Sequence, residues 1–187
     1  MNIHIEGFHG TNSEYVEDIL KKGMKPSKGY SHWLGDGSYF FIKGLSSKPE
    51  NQAEKWAVLQ AWDKDTLQNK YNLYTVLKGD IIVEEKYFLD LTQENGTEIL
   101  NYIQLSCINK LKELGREKQY TDGFLINFGR NHGLADIQVV KANFYIKLTK
   151  EDRIFNICRR TQNCTICSVY NPKENVVDLK VYSEGRI

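Results

Sequence analysis

The segment Gly35-Asp36-Gly37-Ser38-Tyr39-Phe40-Phe41, read together with Phe8-His9-Gly10-Thr11, decides the fold that we predict for this chain. Each segment is typical of the end of a short buried strand that presents a polar or aromatic side chain beside glycines. Glycine has no Cβ, so a backbone that contains it can approach a flat ligand closely. The two segments therefore predict either one wall of a ligand site or a plain hairpin turn followed by an aromatic strand.

Length and composition indicate an ordinary globular protein. The chain has 187 residues, 41% of them apolar and 26% charged, which is enough for one well-buried core. Lys and Arg number 25 against 24 Asp and Glu, so the totals give no sign of a nucleic-acid or membrane partner, although they do not test for a local basic patch. The segment Met1–Glu6 lacks the features of a signal peptide, and no apolar run has the length of a membrane span. We expect a single cytoplasmic domain over residues 1–187 with no membrane partner.

Hydrophobic periodicity and capping residues predict an α+β fold. The first half is expected to alternate strands and helices, and the second half to be mostly strand. The predicted strands are 2–9, 38–42, 71–83, 88–91, 123–128, 137–140, 144–148, 165–170 and 176–181. The predicted helices run from Thr11 or Asn12 to Gly23, from Ser46 or Ser47 to about Trp62, and from Thr97 to Gly115, and residues 127–133 are predicted to be a loop.

Four cysteines, Cys107, Cys158, Cys164 and Cys167, leave three interpretations open. The spacing C-x5-C-x2-C resembles part of a structural zinc site, but no fourth ligand stands at a familiar spacing. A thiol hydrolase that pairs Cys107, Cys164 or Cys167 with His132 is a second interpretation. The surrounding apolar residues read as strand, and this pattern favours reduced core cysteines without a metal.

Three motifs, taken in order, resemble those of the ADP-ribosyltransferase superfamily. They are Phe8-His9-Gly10-Thr11, then Trp33-Leu34-Gly35-Asp36-Gly37-Ser38-Tyr39-Phe40-Phe41, and then Ala53-Glu54-Lys55-Trp56-Ala57. The chain looks most like the poly-ADP-ribose-polymerase (diphtheria-toxin) branch and its small bacterial toxin-type relatives. That branch carries HG[ST] on its first strand, a glycine-framed tyrosine on its second strand, and a serine-lysine step before a helix, which here is Ser47-Lys48.

The end of the chain resembles the same family more loosely. Residues 167–172 and 176–181 look like its closing strand pair, whereas residues 85–135 add nothing to the likeness. The resemblance implies a single α+β domain with two packed, mainly antiparallel β-sheets and flanking helices. It also implies NAD as the substrate, with no metal.

The resemblance assigns a role to each matched residue. His9 is expected to bind a ribose hydroxyl, and the Gly10 backbone, with Thr11 beside it, the nicotinamide carboxamide. Tyr39 is expected to stack on the nicotinamide ring. Ser47 would reach the carboxamide, or else serve only as a helix cap. Trp56 would form the other wall of the ring slot, or else face the core.

The third catalytic position departs from the family pattern. The family places a glutamate, or sometimes glutamine or another residue, at the start of the strand before Val169-Tyr170. Counting back without a gap gives Ile166, which offers no polar group. A one-residue bulge gives Thr165, and a longer extension gives Gln162. We predict Gln162 as the catalytic residue because its amide both donates and accepts hydrogen bonds.

These expectations define two hypotheses from different classes. The first is an NAD-dependent mono-ADP-ribosyltransferase, a bacterial or phage toxin or effector that modifies a protein or nucleic acid and requires a neutralising antitoxin protein in its own cell. The second is a catalytically inactive domain of this fold that binds NAD, ADP-ribose or a partner protein. An RNA 2′-phosphotransferase is a further relative, but Phe8 and the scarcity of early arginines disfavour it.

Overall fold

A computed structural model describes residues 1–29, 32–115 and 120–187. The strands in these ranges are β1 (Asn2–Asn12), β2 (Ser38–Ile42), β3 (Trp62–Asp63), β4 (Gln68–Asn69), β5 (Leu73–Glu84), β6 (Phe88–Asp90), β7 (Val139–Phe144), β8 (Cys164–Val169) and β9 (Val176–Arg186). The helices are α1 (Val16–Lys22), α2 (Pro49–Ala61), α3 (Glu94–Leu114), α4 (Asp122–Asn131), α5 (Lys150–Ile154) and α6 (Pro172–Asn175).

Seven strands form one large sheet in the order β6-β7-β8-β2-β1-β5-β9, and β3 and β4 form a separate two-stranded ribbon. Only β6 and β7 pair in parallel, and the other neighbours in the large sheet are antiparallel. The α+β class and the mainly antiparallel pairing are therefore confirmed. The division into two packed sheets is not observed, because β1 pairs with both β2 and β5 and joins all seven strands into one sheet.

The pairing between β1 and β2 is very short. β1 pairs with β5 along its whole length, from Asn2 to Asn12, but with β2 only at Gly7↔Ile42 and Phe8↔Phe41. At Gly7 a Cβ would lie 2.9 Å from the Cδ1 atom of Ile81 and 3.0 Å from the Cβ atom of Phe40, so a larger residue there would have to displace neighbouring side chains. Beyond Phe8 the pairing ends, and this leaves a gap in the sheet between the last residues of β1 and the first residues of β2.

Each face of the sheet carries a buried cluster, whereas β9 at its edge is largely exposed. On one face a core cluster joins Phe8, Phe41 and Ile166 to side chains of α2, α3 and α4. On the other face Phe40 and Cys167 belong to a second cluster, which also includes residues near α1. Neighbouring residues of β2 and β8 thus fall in different clusters, as strand alternation requires. β8 is buried along its whole length.

The predicted strand at 123–128 is wrong, because these residues lie in α4. The side chain of Thr121 caps this helix by accepting a hydrogen bond from the amide of Phe124 at 3.4 Å. Gly123, Ile126 and Gly129 are buried at a three-residue spacing, which is a helical pattern that a short apolar run does not distinguish from a strand. The predicted loop at 127–133 accordingly begins inside the helix.

The strand predicted at 144–148 is wrong as well. β7 ends at Phe144, and residues 145–148 have no regular secondary structure. Ile146 and Leu148 are nevertheless buried in the core cluster on the helix side. Their apolar alternation reflects packing against that core rather than pairing with another strand.

Candidate functional site

A cavity of about 500 Å³ lies at the gap between β1 and β2. His9 and Gly10 of β1 line it, together with Tyr39 and its neighbours on β2. The remaining described walls come from α1, from the segment between α1 and β2, from Trp56 of α2, and from Ile146 and Ile166. This volume is typical of cavities that bind small molecules. The cavity arises because the backbone pairing of the two strands stops at Phe8.

The side chain of His9 joins the two strands across the gap. Its Nδ1 atom lies 2.8 Å from the backbone oxygen of Tyr39. A carbonyl oxygen only accepts hydrogen bonds, so Nδ1 carries the proton and donates it. Burial lowers the pKa of His9 below its ordinary value, which keeps the ring neutral near pH 7. Nε2 therefore retains a lone pair that accepts a hydrogen bond from a hydroxyl group.

Gly10 allows helix α2 to pack directly on β1. A Cβ at this position would lie 1.9 Å from the backbone oxygen of Ala53, a contact that no other residue type tolerates without moving the helix. The close packing brings Trp56, one turn further along α2, to the cavity. The sequence led us to expect glycine here for contact with a ligand, but the structure supplies a packing reason for it.

Tyr39 presents its ring to the cavity and uses its hydroxyl elsewhere. The phenol donates to the backbone oxygen of Gly35 at 2.7 Å and accepts from the amide of Leu34 at 2.9 Å. Burial raises the pKa of this phenol, so it remains protonated. Because both hydrogen bonds go to the preceding loop, the ring is fixed and contributes an aromatic face rather than a hydroxyl.

The loop before Tyr39 is fastened to α4 by Asn127 and Arg130. The Asn127 side chain accepts from the amide of Asp36 at 2.8 Å and donates to its carboxylate at 3.1 Å. Arg130 donates to the backbone oxygen of Asp36 at 3.0 Å. A Cβ at Gly37 would lie 2.2 Å from the hydroxyl of Ser168. The glycines around Asp36 thus allow close packing against α4 and β8, and the Asp36 carboxylate helps to hold the loop through its hydrogen bond to Asn127.

Asn127 and Arg130 position the site, and sequence reasoning missed both. The sequence predicts a strand that ends near Asn127 and a loop at Arg130, and no local pattern connects either residue with Asp36. Burial lowers the pKa of Arg130 to about 10, and its guanidinium lies 4.5 Å from the ring centroid of Tyr170. The helical spacing of Gly123, Ile126 and Gly129 is the one signal that would have placed these residues on a helix facing the sheet.

Aromatic side chains form one wall of the cavity. Trp33 stacks on Phe144 with the ring centroids 5.4 Å apart and an angle of 24° between the planes. Its ring also meets that of Trp56 edge-on, with the centroids 6.2 Å apart. The guanidinium of Arg153 lies 5.9 Å from the Trp56 ring centroid. Trp56 is therefore half-buried between the core and the cavity, which combines the two roles considered for it.

Charged groups stand on the α1 side of the cavity. Lys22 and Lys25 line it, and Lys22 donates to the carboxylate of Asp18 at 2.7 Å. This hydrogen bond lowers the pKa of Asp18, so that side chain is ionised at neutral pH. Among the described residues that line the cavity, Asp18 supplies the only carboxylate.

Three predicted site residues, Thr11, Ser47 and Gln162, are not among the described residues that line the cavity. Thr11 lies on β1 opposite Thr75. Ser47 is exposed. Gln162 is exposed, and its amide donates to the backbone oxygen of Asn143 at 3.1 Å. The structure therefore brings His9, Gly10, Tyr39 and Trp56 together without these three.

The third catalytic position remains apolar where β8 meets the cavity. Thr165 is 1% exposed. Its hydroxyl donates to the side chain of Asn143 at 2.7 Å and accepts from the amide of Leu45 at 2.9 Å. Ile166 lines the cavity, is 3% exposed, and pairs with Phe41 of β2. Within the described ranges, β8 contributes a hydrocarbon surface where the family resemblance expects a polar group.

The four cysteines form no disulfide, and three of them lie in the core as predicted, whereas Cys158 does not. Cys107, Cys164 and Cys167 are buried and Cys158 is exposed. Cys164 and Cys167 belong to the core clusters on opposite faces of the sheet, so one metal ion does not reach both. No metal-binding group of three His, Cys, Asp or Glu side chains occurs in the described part of the chain. Burial raises the pKa of Cys164 to about 12 and also raises that of Cys167, which disfavours a thiol nucleophile.

None of the helices in residues 1–29, 32–115 and 120–187 is long and apolar enough to cross a membrane.

Comparison with known proteins places the chain beside an archaeal relative. No protein-family model matches the sequence. The chain is 30% identical over 158 residues to the uncharacterized protein MJ0359 of Methanocaldococcus jannaschii, and the match covers 80% of this chain and 69% of that protein. The chain therefore belongs to the same family as this archaeal protein.

Proposed function

We propose that this protein is an NAD-dependent mono-ADP-ribosyltransferase of the toxin or effector type. The observation that carries the proposal is the meeting of His9 and Tyr39 at the gap between β1 and β2, where both line one cavity. The family resemblance assigns the same two residues to the ribose and to the nicotinamide of NAD.

The groups around the cavity are suited to parts of NAD. The free Nε2 of neutral His9 accepts a hydrogen bond from a ribose hydroxyl. The fixed ring of Tyr39 offers a face for offset stacking with the nicotinamide ring, which contributes about 1 kcal/mol beyond burial. Lys25 supplies positive charge on the α1 side toward the pyrophosphate, whereas Lys22 beside it is paired with Asp18.

The order of the strands supports the resemblance independently of the cavity. The family pattern places its histidine on the first strand, its tyrosine on the second, and its third catalytic residue on a strand late in the chain. Here the strands that correspond are β1, β2 and β8, and they are consecutive neighbours in the sheet. Residues distant in sequence are thus arranged around one site.

The proposed reaction transfers ADP-ribose and releases nicotinamide. The bond between ribose C1′ and the pyridinium nitrogen breaks, and its electron pair leaves with the nitrogen to give neutral nicotinamide. Positive charge then develops on the ribose, and a lone pair of the acceptor forms the new bond to C1′. A proton on the attacking atom, where there is one, passes to the solvent. Residues that hold the ribose and the ring in place promote this reaction by positioning.

The acceptor is a macromolecule, either a protein or a nucleic acid. A toxin with this activity requires a neutralising antitoxin protein in the cell that makes it. Both statements follow from the proposed toxin type.

A specific observation favours a second candidate, an inactive domain that binds NAD, ADP-ribose or a partner protein. Ile166 stands at the cavity on β8, where an active member of the family is expected to hold the ribose with a polar side chain. Such a domain would retain the aromatic and histidine contacts and bind the dinucleotide without cleaving it.

Labelled NAD separates the two candidates. The purified protein is incubated with cell lysate and with NAD labelled in the adenylate, and nicotinamide release is measured in parallel. His9→Ala and Tyr39→Ala are compared with two matched controls, His4→Ala on the exposed part of β1 and Tyr102→Ala, which is 57% exposed on α3.

The proposed activity predicts labelled macromolecules with the wild type and with both controls, but not with the two cavity variants. Binding of NAD without transfer or nicotinamide release would establish the inactive domain instead. Absence of any NAD-dependent thermal shift in the wild type would exclude both the enzyme and an inactive domain that binds NAD.

A further inference from the structure

The connection between β7 and β8 carries an exposed apolar surface. Residues 154–162 are all exposed, and among them Ile154, Phe155 and Ile157 are 72%, 73% and 38% exposed. Three large apolar side chains within four positions, all facing solvent, form a patch of the kind that marks an interaction site. We refer to residues 145–162 as the β7–β8 segment.

The base of this segment is well fastened, so the exposure is not a consequence of fraying. The side chain of Asn163 makes two hydrogen bonds to the backbone of Ile146: it accepts one from the amide at 2.8 Å and donates one to the carbonyl oxygen at 3.0 Å. Thr149 caps α5 by accepting from the amide of Asp152 at 3.1 Å. The amides of Phe155 and Ile157 donate to backbone oxygens of α5 at 2.9 Å each. The apolar side chains are therefore held outward.

Basic residues outnumber acidic ones in the segment that carries the apolar patch. The β7–β8 segment contains five basic residues and two acidic ones, whereas the whole chain has a net charge of only +1. One of the two acids, Asp152, already accepts a hydrogen bond from the hydroxyl of Tyr145 at 3.1 Å. Arg159 and Arg160 are exposed, and the guanidinium of Arg159 lies 5.4 Å from the Tyr145 ring centroid. The segment is thus a local cationic surface with accessible aromatic groups.

This surface begins at the candidate site. Ile146 lines the cavity. Arg153 of α5 donates to the backbone oxygen of Leu59 at 2.8 Å and lies over the ring of Trp56, which also lines the cavity. A molecule bound along the segment would therefore lie near the cavity.

We propose that the β7–β8 segment binds single-stranded nucleic acid. The basic side chains would neutralise backbone phosphates, and Phe155 would offer a face on which an unpaired base stacks. An acidic peptide would satisfy the charges but would leave the exposed aromatic and the planar guanidinium groups without stacking partners. The inference that the bound strand is also the ADP-ribose acceptor rests on the proposed function, whereas binding of the strand does not.

The test measures binding of a fluorescently labelled oligouridylate or oligothymidylate of about 20 nucleotides, enough to span a typical single-strand site, by anisotropy and without NAD. Phe155→Ala is expected to raise Kd about tenfold, because stacking on one aromatic side chain contributes this order of affinity. The double variant Arg159→Gln/Arg160→Gln is expected to reduce the slope of log K against log salt by about 1.4.

Matched controls remove the same groups elsewhere. Leu105→Ala removes an apolar side chain that is 68% exposed on α3. Lys180→Gln/Arg186→Gln removes two charges from β9, at the far edge of the sheet. Both controls are expected to bind like the wild type. Equal loss in the controls and the segment variants, or equally tight binding of a polyglutamate peptide, would overturn the proposal.

Failure of this proposal is distinguishable from failure of the proposed function. His9→Ala is expected to bind the oligonucleotide normally, and Phe155→Ala is expected to release nicotinamide with water as acceptor at the wild-type rate. Oligonucleotide binding without nicotinamide release would contradict the enzyme and leave the nucleic-acid surface supported. Nicotinamide release by a protein that does not bind the oligonucleotide would contradict the surface alone.

Discussion

Replacing Tyr39 by phenylalanine separates the two roles that the structure gives this residue. The ring lines the cavity, whereas the hydroxyl bonds to the backbone of the preceding loop at Leu34 and Gly35. Tyr39→Phe removes only the second role. We therefore expect a less stable protein that still binds NAD.

The size of the effect follows from the two hydrogen bonds. Loss of the bond from the phenol to the oxygen of Gly35 costs about 1 kcal/mol. Leu34 is 0% exposed, so its amide loses its acceptor in a buried position, which costs a further 1–3 kcal/mol or so. The free energy of unfolding is expected to fall by about 2–4 kcal/mol, and for a chain of this size Tm falls by roughly 4–16 °C.

Urea denaturation measures the free energy of unfolding, and isothermal titration with NAD measures binding at a temperature where each variant is folded. Tyr102→Phe, at an exposed tyrosine of α3, is the control and should change neither quantity. Tyr39→Ala should lose NAD binding in addition to stability. An unchanged free energy of unfolding in Tyr39→Phe, or a loss of NAD binding as great as in Tyr39→Ala, would refute the assignment.

Further predictions concern packing, protonation and thiol reactivity. Gly10→Ala should lower the free energy of unfolding by about 2–3 kcal/mol, because the new Cβ would collide with the backbone oxygen of Ala53, which cannot rotate away. A decrease below about 1 kcal/mol, measured by urea denaturation, would contradict this prediction. Burial holds the folded-state pKa of His9 below its ordinary value of 6.5, so stability from this residue is complete above pH 6.5. As the pH falls below 6.5, His9 becomes protonated in the unfolded chain but stays neutral in the folded chain. The free energy of unfolding therefore decreases by at most about 1.4 kcal/mol per pH unit. His9→Gln should remove that decrease in denaturation curves recorded across this range, and an identical pH dependence in both proteins would argue against a buried neutral ring. In the native protein iodoacetamide should modify the exposed Cys158 but not the buried Cys164, because burial raises the pKa of Cys164 to about 12. Mass spectrometry of tryptic peptides shows which thiol reacts.

The first third of the fold was predictable because its signals are local. Strand alternation before Gly7, the helix ended by Gly23, and the proline that begins α2 each act over a few residues. These signals placed His9 and Tyr39 on strands. That the two strands are neighbours which separate beyond Phe8 is a property of sheet pairing, and no local pattern encodes it.

The supports of the site were not predictable, because they join distant parts of the chain. Asn127 and Asp36 are separated by 91 positions, and the segment around Asn127 has an apolar run that suits either a strand or a helix. Gln162 was chosen by its chemistry at a plausible spacing. Its side chain turns instead to Asn143 of β7, because residues 154–162 leave the sheet as an exposed connection.

The apolar surroundings of Ile166 have a consequence for the acceptor. Ile166 lies between Phe41 of β2 and Ala142 of β7, so a carboxylate at this position would be buried without a partner at a cost of several kcal/mol. On the proposed function, no side chain of β8 then deprotonates the attacking group. A hydroxyl carries a proton that no side chain of β8 removes and would be a poor acceptor at such a site, whereas an ionised phosphate oxygen or an unprotonated ring nitrogen attacks without having to lose a proton. If the cationic β7–β8 segment delivers a nucleic acid, we expect ADP-ribose on a terminal phosphate or a base nitrogen. Mass spectrometry of a nuclease digest locates the adduct, and attachment to a ribose hydroxyl would mean that a base outside β8 takes part.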